Sequence, residues 1–214
     1  MNQPTYDPNP GNYNVGAPKK SGMSGLKIAL IVAGVCFFFF LVLAGAVGYL
    51  VSQTFFDSDV MKSVVSKDRV TEIQVPSNWK ELTGPDRNLE ASLQYCNVFA
   101  ETYGLIMTES KREFAEALEV PEDECTIEKF ANLLIDTMSE GGFTAGPSEP
   151  VTINGLKGVR VKMRTDIDGI KISYLVTFLD GKENYHQVHC WTLQSREERN
   201  MPTLEKVANS FREL

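Results

Sequence analysis

Histidine is almost missing from this chain: 214 residues contain two, His186 and His189. They stand three apart in a stretch with strand periodicity. Side chains alternate along a strand, so the two rings point to opposite faces and cannot chelate one metal together. The same alternation separates His189 from Cys190 and removes them as a nucleophile–base pair. Cysteine is scarce too, four in all with no C-x-x-C spacing. Cys96, Cys125 and Cys190 allow one disulfide plus an odd thiol outside the cytoplasm, or three reduced thiols packed as small apolar residues, which is the preferred reading. No G-x-S-x-G, P-loop, H-E-x-x-H or G-x-G-x-x-G is present, so no motif fixes a chemistry. Cofactor and metal sites are not expected, and the enzyme expected against these absences is none. Positive charge is also in short supply. Residues 57–214 hold 18 basic against 27 acidic side chains, a net charge of −9, which excludes attraction to nucleic acid or anionic headgroups through the overall field.

What the chain does have is one long run without charge, Pro, Asn or Gln: Ile28 to Val51, IALIVAGVCFFFFLVLAGAVGYLV. As a helix it would be about 36 Å long, enough to cross a hydrocarbon core of ~30 Å. It lacks the polar face a soluble helix of that length needs. A single transmembrane helix over 26–53 is predicted, with Cys36 inside it. The competing reading is a cleaved signal peptide, because Ala44-Gly45-Ala46 has the small-x-small form of a cleavage site. The 27 residues ahead of the run are long for such a leader, and the apolar run continues to Val51, so the retained anchor is favoured. Lys19, Lys20 and Lys27 precede the span while Asp57 and Asp59 follow it. The positive-inside rule then puts the N-terminus in the cytoplasm and residues 57–214 outside.

Residues 1–25 carry Pro4, Pro8, Pro10 and Pro18 among Gly, Asn and Ser, with almost nothing to bury, which predicts a disordered tail. Residues 54–69 read as a stalk in which Val60, Met61, Val64 and Val65 hint at helical turns. The globular domain is expected over 70–214. It opens with a strand at Val70–Val75 and Trp79 as the expected core anchor, followed by a turn at Gly84-Pro85-Asp86. Strands over Leu89–Val98 and Thr102–Thr108 come next, then a helix opened by the capping box Ser110-Lys111-Arg112-Glu113. An amphipathic helix spans about Ile127–Glu140, with Ile127, Phe130, Leu133, Leu134 and Met138 on one side and Gly141-Gly142 ending it. The acids Glu119, Glu122, Asp123, Glu124 and Glu128 ahead of it lack the glycine of a calcium loop and suit a helix N-terminus.

The clearest pattern is Val159 to Val176. Val159, Val161, Met163, Thr165 and Ile167 alternate with charged residues, and Asp168-Gly169 makes a two-residue hairpin turn. That turn pairs Ile167 with Ile170, Met163 with Tyr174 and Val161 with Val176 on one face. The opposite face carries Arg160, Lys162, Arg164 and Lys171, the one cationic stripe of an acidic domain and the candidate partner-binding site. It suits an acidic partner or an anionic ligand. A solvated sheet face, or alkyl stems packed beneath a helix, accounts for it more simply and is the favoured reading, because strand alternation alone produces such stripes. Pro150–Asn154 adds an edge strand, Asn184–Leu193 another strand, and a closing helix starts at Pro202 with Leu204, Val207, Ala208 and Phe211 in register.

This order of elements, with Val-Pro-Ser-Asn-Trp at 75–79 and T-L-E-K-V-A-N-S-F-R at 203–212, resembles the PsbP-like family over residues 70–214. The resemblance implies an α+β fold: an α/β/α sandwich on a mostly antiparallel sheet, shared with a Ran-binding nucleotide-release factor and with membrane-tethered bacterial proteins. It also implies a non-enzymatic accessory or docking domain, and carries over no binding residues. The expected partners are membrane lipid through the span and another protein of the envelope, with no nucleic acid. The alternative is a small-molecule or thiol-dependent enzyme using Cys96, Cys125 or Cys190.

Overall fold

A computed structural model describes residues 60–83 and 87–214. The predicted tail, the span with Cys36, and the Gly84-Pro85-Asp86 turn lie outside the described residues. Among the described residues no helix is long and apolar enough to cross a membrane. The strands are β1 (Met61–Val65), β2 (Thr71–Pro76), β3 (Lys80–Glu81), β4 (Leu93–Asn97) and β5 (Thr102–Ser110). Helices α1 (Lys111–Leu118) and α2 (Ile127–Glu140) follow, then β6 (Thr144–Ile153), β7 (Leu156–Ile167), β8 (Ile170–Asp180) and β9 (Asn184–Leu193). Helix α3 (Glu197–Asn209) and the short β10 (Arg212–Glu213) end the chain. The fold is mixed α+β, and every strand pairing among the described residues is antiparallel.

Seven strands form one sheet in the order β3-β4-β5-β9-β8-β7-β6, and β1-β2-β10 form a second. The β7–β8 hairpin of the seven-stranded sheet has the expected register, with Ile167 opposite Ile170, Met163 opposite Tyr174 and Asp166 opposite Lys171. Asp168 and Gly169 take φ of 52° and 84°, the left-handed pair that a two-residue turn matched to strand twist requires. Period-two alternation then builds both layers. Val159, Val161, Met163, Val176 and Phe178 face α1 and α2, packing with Phe114, Ile127 and Phe130. Leu175, Leu179, Val188 and Cys190 face the other way, onto Leu204, Val207 and Ala208 of α3 and Ile73 and Val75 of β2. Trp79 is buried in that second layer.

Four expectations need correction. Residues 61–65 form a strand and not helical turns, because β1 can pair with β2 and place Met61 and Val64 against the second core. Helix α3 begins at Glu197, with Pro202 inside it. Asn200 holds the extra turn by donating to Ala100 O at 3.0 Å and Thr192 Oγ1 at 2.8 Å, and Glu197 is tied to Ser173 and Arg164. The helix also stops at Asn209, so Phe211 is buried from outside it and β10 pairs with β2. On α2, Ile127, Phe130 and Ala131 are buried while Leu133 is exposed. The two helix starts read from sequence hold: Ser110 Oγ accepts from Glu113 N, and Thr126 Oγ1 from Lys129 N.

Candidate functional site

The cationic stripe lies under α3. Arg160 donates from Nε to Thr177 Oγ1 at 3.1 Å and from Nη2 to Asn209 Oδ1 at 2.7 Å. Lys162 Nζ is 3.3 Å from Glu205 Oε1. Arg164 Nη2 reaches both oxygens of Glu197, at 3.2 and 3.0 Å. Burial pushes the Glu197 carboxyl up, yet the Ser173 hydroxyl, Arg164 and Lys162 outweigh it and hold it below its ordinary range. Three of the four cations are therefore engaged by one helix of the same chain. Lys171 stands apart, exposed on the hairpin opposite Asp166. The alternation that makes the stripe was legible in the sequence. The acidic residues that meet it, at positions 197 and 205, were not, because nothing local says that α3 packs on β8 and β9 within reach of the β7 side chains.

The histidines face opposite ways, as strand alternation requires. His186 is fully buried; its Nδ1 is 3.1 Å from Thr108 Oγ1 and its Nε2 is 3.1 Å from Glu213 Oε1. Glu213 also accepts twice from Lys182 N, so Nε2 carries the proton toward the carboxylate and Nδ1 accepts from Thr108. Burial lowers the His186 pKa, against the opposing pull of Glu213. Hydroxyl, imidazole and carboxylate thus stand in the order of a nucleophile, base and acid. The ring is sealed, with its centroid 5.0 Å from that of Phe211. Thr108 lines neither the groove beside Lys171 nor the one beside Asn154, although Glu213 lines the latter. The trio pins β10 to β5 and β9.

His189 is buried on the α1/α2 side, with Nε2 3.1 Å from Gln187 Oε1 and its ring edge-on to Phe178. Burial pushes its pKa down to about 4, so it is neutral across the physiological range. Cys96 and Cys190 are buried and free, and Cys125 is half-buried and free. Burial raises the Cys96 thiol and pushes Cys190 up to about 12, against a small opposing pull from Arg160. Both thiols therefore stay protonated at neutral pH and lack the thiolate a nucleophile needs. Among the described residues no three His, Cys, Asp or Glu side chains are placed to hold a metal ion.

The cavity between Trp79, Ile106, Val188 and Cys190 holds about 10 Å³, which is at or below the space one water needs, and its apolar walls keep it dry. Two larger spaces among the described residues are open grooves: about 550 Å³ beside Ile170, Lys171 and Gln194, and about 380 Å³ beside Asn154 and Glu213. More distinctive is a row of rings on the α1/α2 face. Tyr103 stacks on Trp191 with centroids 5.2 Å apart and planes at 9°, and Trp191 stacks on Tyr174 at 5.6 Å and 22°. Phe143 meets the edge of Tyr174 at 5.3 Å. All four are half-buried. Helix α2 packs on β6, β7 and β8, so the Tyr103 end of the row lies beyond it. Sequence reasoning missed this row. Its signal is the cross-strand register that sets Tyr103 and Tyr174 on either side of Trp191, and that exists only once β5 and β8 flank β9.

The sequence matches no protein-family profile and no curated protein. Solved structures do resemble it. The solution structure of cyanobacterial PsbP (CyanoP) from Synechocystis sp. PCC 6803 superposes with a TM-score of 0.52 at 12% identity, covering 72% of this chain and 92% of that one. A protein of unknown function, PA94 from Pseudomonas aeruginosa, gives 0.43 at 10% identity over 70% and 94%. LpqN of Mycobacterium tuberculosis gives 0.40 at 9% identity over 71% and 89%. The fold of the described domain is PsbP-like.

Proposed function

We propose that this PsbP-like domain is a non-catalytic accessory module, held outside the cytoplasm by the span at Ile28–Val51, that docks onto another protein of the envelope. The observation that carries the reading is the half-buried row Tyr103–Trp191–Tyr174. Tyr and Trp are enriched where protein surfaces meet, since each contributes a large rigid apolar area and a polar tip. The polar chemistry of the domain supports it from the other side. The basic stripe is engaged by α3, both histidines are inside, and two of the described thiols are buried. A thiol-dependent enzyme would need a lowered thiol pKa, and burial moves Cys96 and Cys190 the opposite way.

The test is co-purification of the full chain with its cross-linked partner from solubilised membranes. Tyr103→Ala and Trp191→Ala should each weaken recovery of that same partner by about 30-fold, the equivalent of a ~2 kcal/mol hot spot. The triple change Arg160→Ala, Lys162→Ala and Arg164→Ala should leave recovery unchanged so long as the domain still melts cooperatively. Undiminished recovery by both aromatic variants would refute the docking surface.

A further inference from the structure

We infer that the outer edge of β1 is a self-pairing surface: a second copy of this chain adds its own β1, antiparallel about Ser63, and two three-stranded sheets become one of six strands. The aromatic row is a separate surface on the other sheet. An uncovered strand edge presents a row of unpaired N–H and C=O groups, and proteins close such edges by shortening them or with charge, proline or a bulge. Among the described residues the two sheets end in four edges, β3, β6, β10 and β1. Three are closed. β3 is only Lys80 and Glu81, both exposed, and β10 is only Arg212 and Glu213. β6 runs for ten residues but is interrupted by a bulge between Ala145 and Ser148. Its turn, with Asn154 and Gly155 at φ of 50° and 91°, closes on the bonded pair Ile153–Leu156. Bonding alternates from there, so Thr152, Pro150 and Ser148 face outward, and Pro150 has no N–H to offer.

β1 has none of these devices. Its residues Met61 to Val65 include no proline and pair with β2 without a break in register. The phase of that pairing is fixed at both ends. Ser77 N donates to Val60 O at 2.7 Å, and Ser66 N to Thr71 O at 2.9 Å. Lys62 and Val64 therefore bond to β2, while Met61, Ser63 and Val65 turn their N–H and C=O outward. Pro76, opposite Met61, agrees, since it has no N–H to give. Lys62 is the one charge on β1 and does not guard the edge. Its Nζ reaches back to Trp79 O and to Ser77 O at 3.3 Å, and stands 5.6 Å from the centre of the Tyr95 ring.

A copy related by a two-fold axis at Ser63 matches this edge to itself. Ser63 meets Ser63 of the second copy, Met61 meets Val65 and Val65 meets Met61. All three outward positions fall in bonding register, each pair exchanging two hydrogen bonds. Val65, 47% exposed, gains an apolar neighbour, and exposed Ser63 faces only another small hydroxyl. Lys62 comes opposite Val64, so no like charges are set against each other. A two-fold contact uses the same patch on both partners, and this edge is complementary to itself in phase and charge. A strand of another protein would gain the same backbone bonds, but β1 turns no charged side chain outward to select it.

The test uses the full chain in detergent, with Cys36→Ser and Cys125→Ser and with micelles in excess over protein. One accessible cysteine is introduced as Ser63→Cys or Gln74→Cys, and each protein is oxidised with copper phenanthroline. Ser63 and Gln74 are both exposed and are register partners. Across the two-fold seam the copies of position 63 lie about 5.5 Å apart and those of position 74 roughly 15 Å apart, beyond the reach of a disulfide. Ser63→Cys should give a disulfide-linked dimer, and Gln74→Cys should stay monomeric. Adding Val65→Pro to Ser63→Cys removes an outward N–H and no bond to β2, and should abolish the dimer while melting stays cooperative. Monomer from Ser63→Cys, dimer from both single cysteines, or dimer surviving in folded Val65→Pro would each overturn the inference. The contrast between positions 63 and 74 decides the matter even where the proline loosens the turn at 66–70.

Discussion

Phe211 follows the last helical residue by two positions and is fully buried, between the second core and the ring of His186. Its backbone is held as firmly as its ring, since Asn154 Nδ2 donates to Phe211 O at 2.7 Å. Removing such a ring forfeits its transfer energy and leaves a cavity, about 3–5 kcal/mol in typical cores. A domain of ~150 residues loses roughly 2–4 °C for each kcal/mol. Phe211→Ala should therefore melt roughly 6–20 °C below wild type by calorimetry. A melting point within a degree or two of wild type would mean that residue 211 is outside the core. The engaged cations make a contrast at the same scale. Lys162–Glu205 and Arg164–Glu197 are partly exposed pairs, worth at most about 1 kcal/mol each, so their role is register of α3 on the sheet more than stability.

Among the elements, β10 is the smallest and ties the most together. Arg212 and Glu213 pair with Glu72 and Thr71, and the Glu213 carboxylate accepts from Lys182 N and meets His186. Hydrogen bonds to a charged group contribute about 1.5–3 kcal/mol. Removing Arg212 to Leu214 should speed amide exchange at Lys182 by at least about tenfold, with β7 and β8 still protected. Exchange unchanged at Lys182 would show the clasp to be idle. This element was illegible in the sequence, where two residues carry no periodicity and Phe211 continued a helical pattern. The β7–β8 hairpin was legible to the residue, because Asp168-Gly169 fixes register and the alternation agrees with it. Helix α2 was legible because an apolar stripe from Ile127 to Met138 ends at Gly141-Gly142, although Leu133 of that stripe is exposed. The start of α3 was not, since Pro202 resembles a first helical residue and the contacts that extend the helix come from Ala100 and Thr192. The candidate surface was legible only as single aromatics.

For the whole molecule, acid is the natural stress. His189 is neutral in the fold, its pKa pushed down to about 4, and burial lowers His186 as well. The unfolded chain takes up those protons first, near an ordinary pKa of about 6.5. Stability present above pH ~6.5 is then lost as pH falls toward 4, on the order of 3 kcal/mol for His189. Glu197, held low, adds to the loss as pH falls through its folded pKa. Glu109, raised by burial and by Glu113 and Glu90, offsets part of it by binding its proton more readily in the fold. Urea midpoints of the full chain in detergent should fall between pH 6.5 and 4, and His189→Gln should flatten that slope. An unchanged slope in His189→Gln would remove this residue as its source.

The pairing of β2 with β10 also sets a schedule for biosynthesis. Gln74 N donates to Ser210 Oγ, and Ser210 Oγ in turn to Gln74 O, across a separation of 136 residues. At about 5–20 residues per second, a nascent chain needs roughly 7–27 s to deliver the second partner after the first. Through that interval the apolar side of the β1–β2 hairpin has no α3 to lie against. The order of the chain thus makes the earliest strands of the domain the last to be covered, and puts the burden of their protection on whatever receives the polypeptide as it emerges.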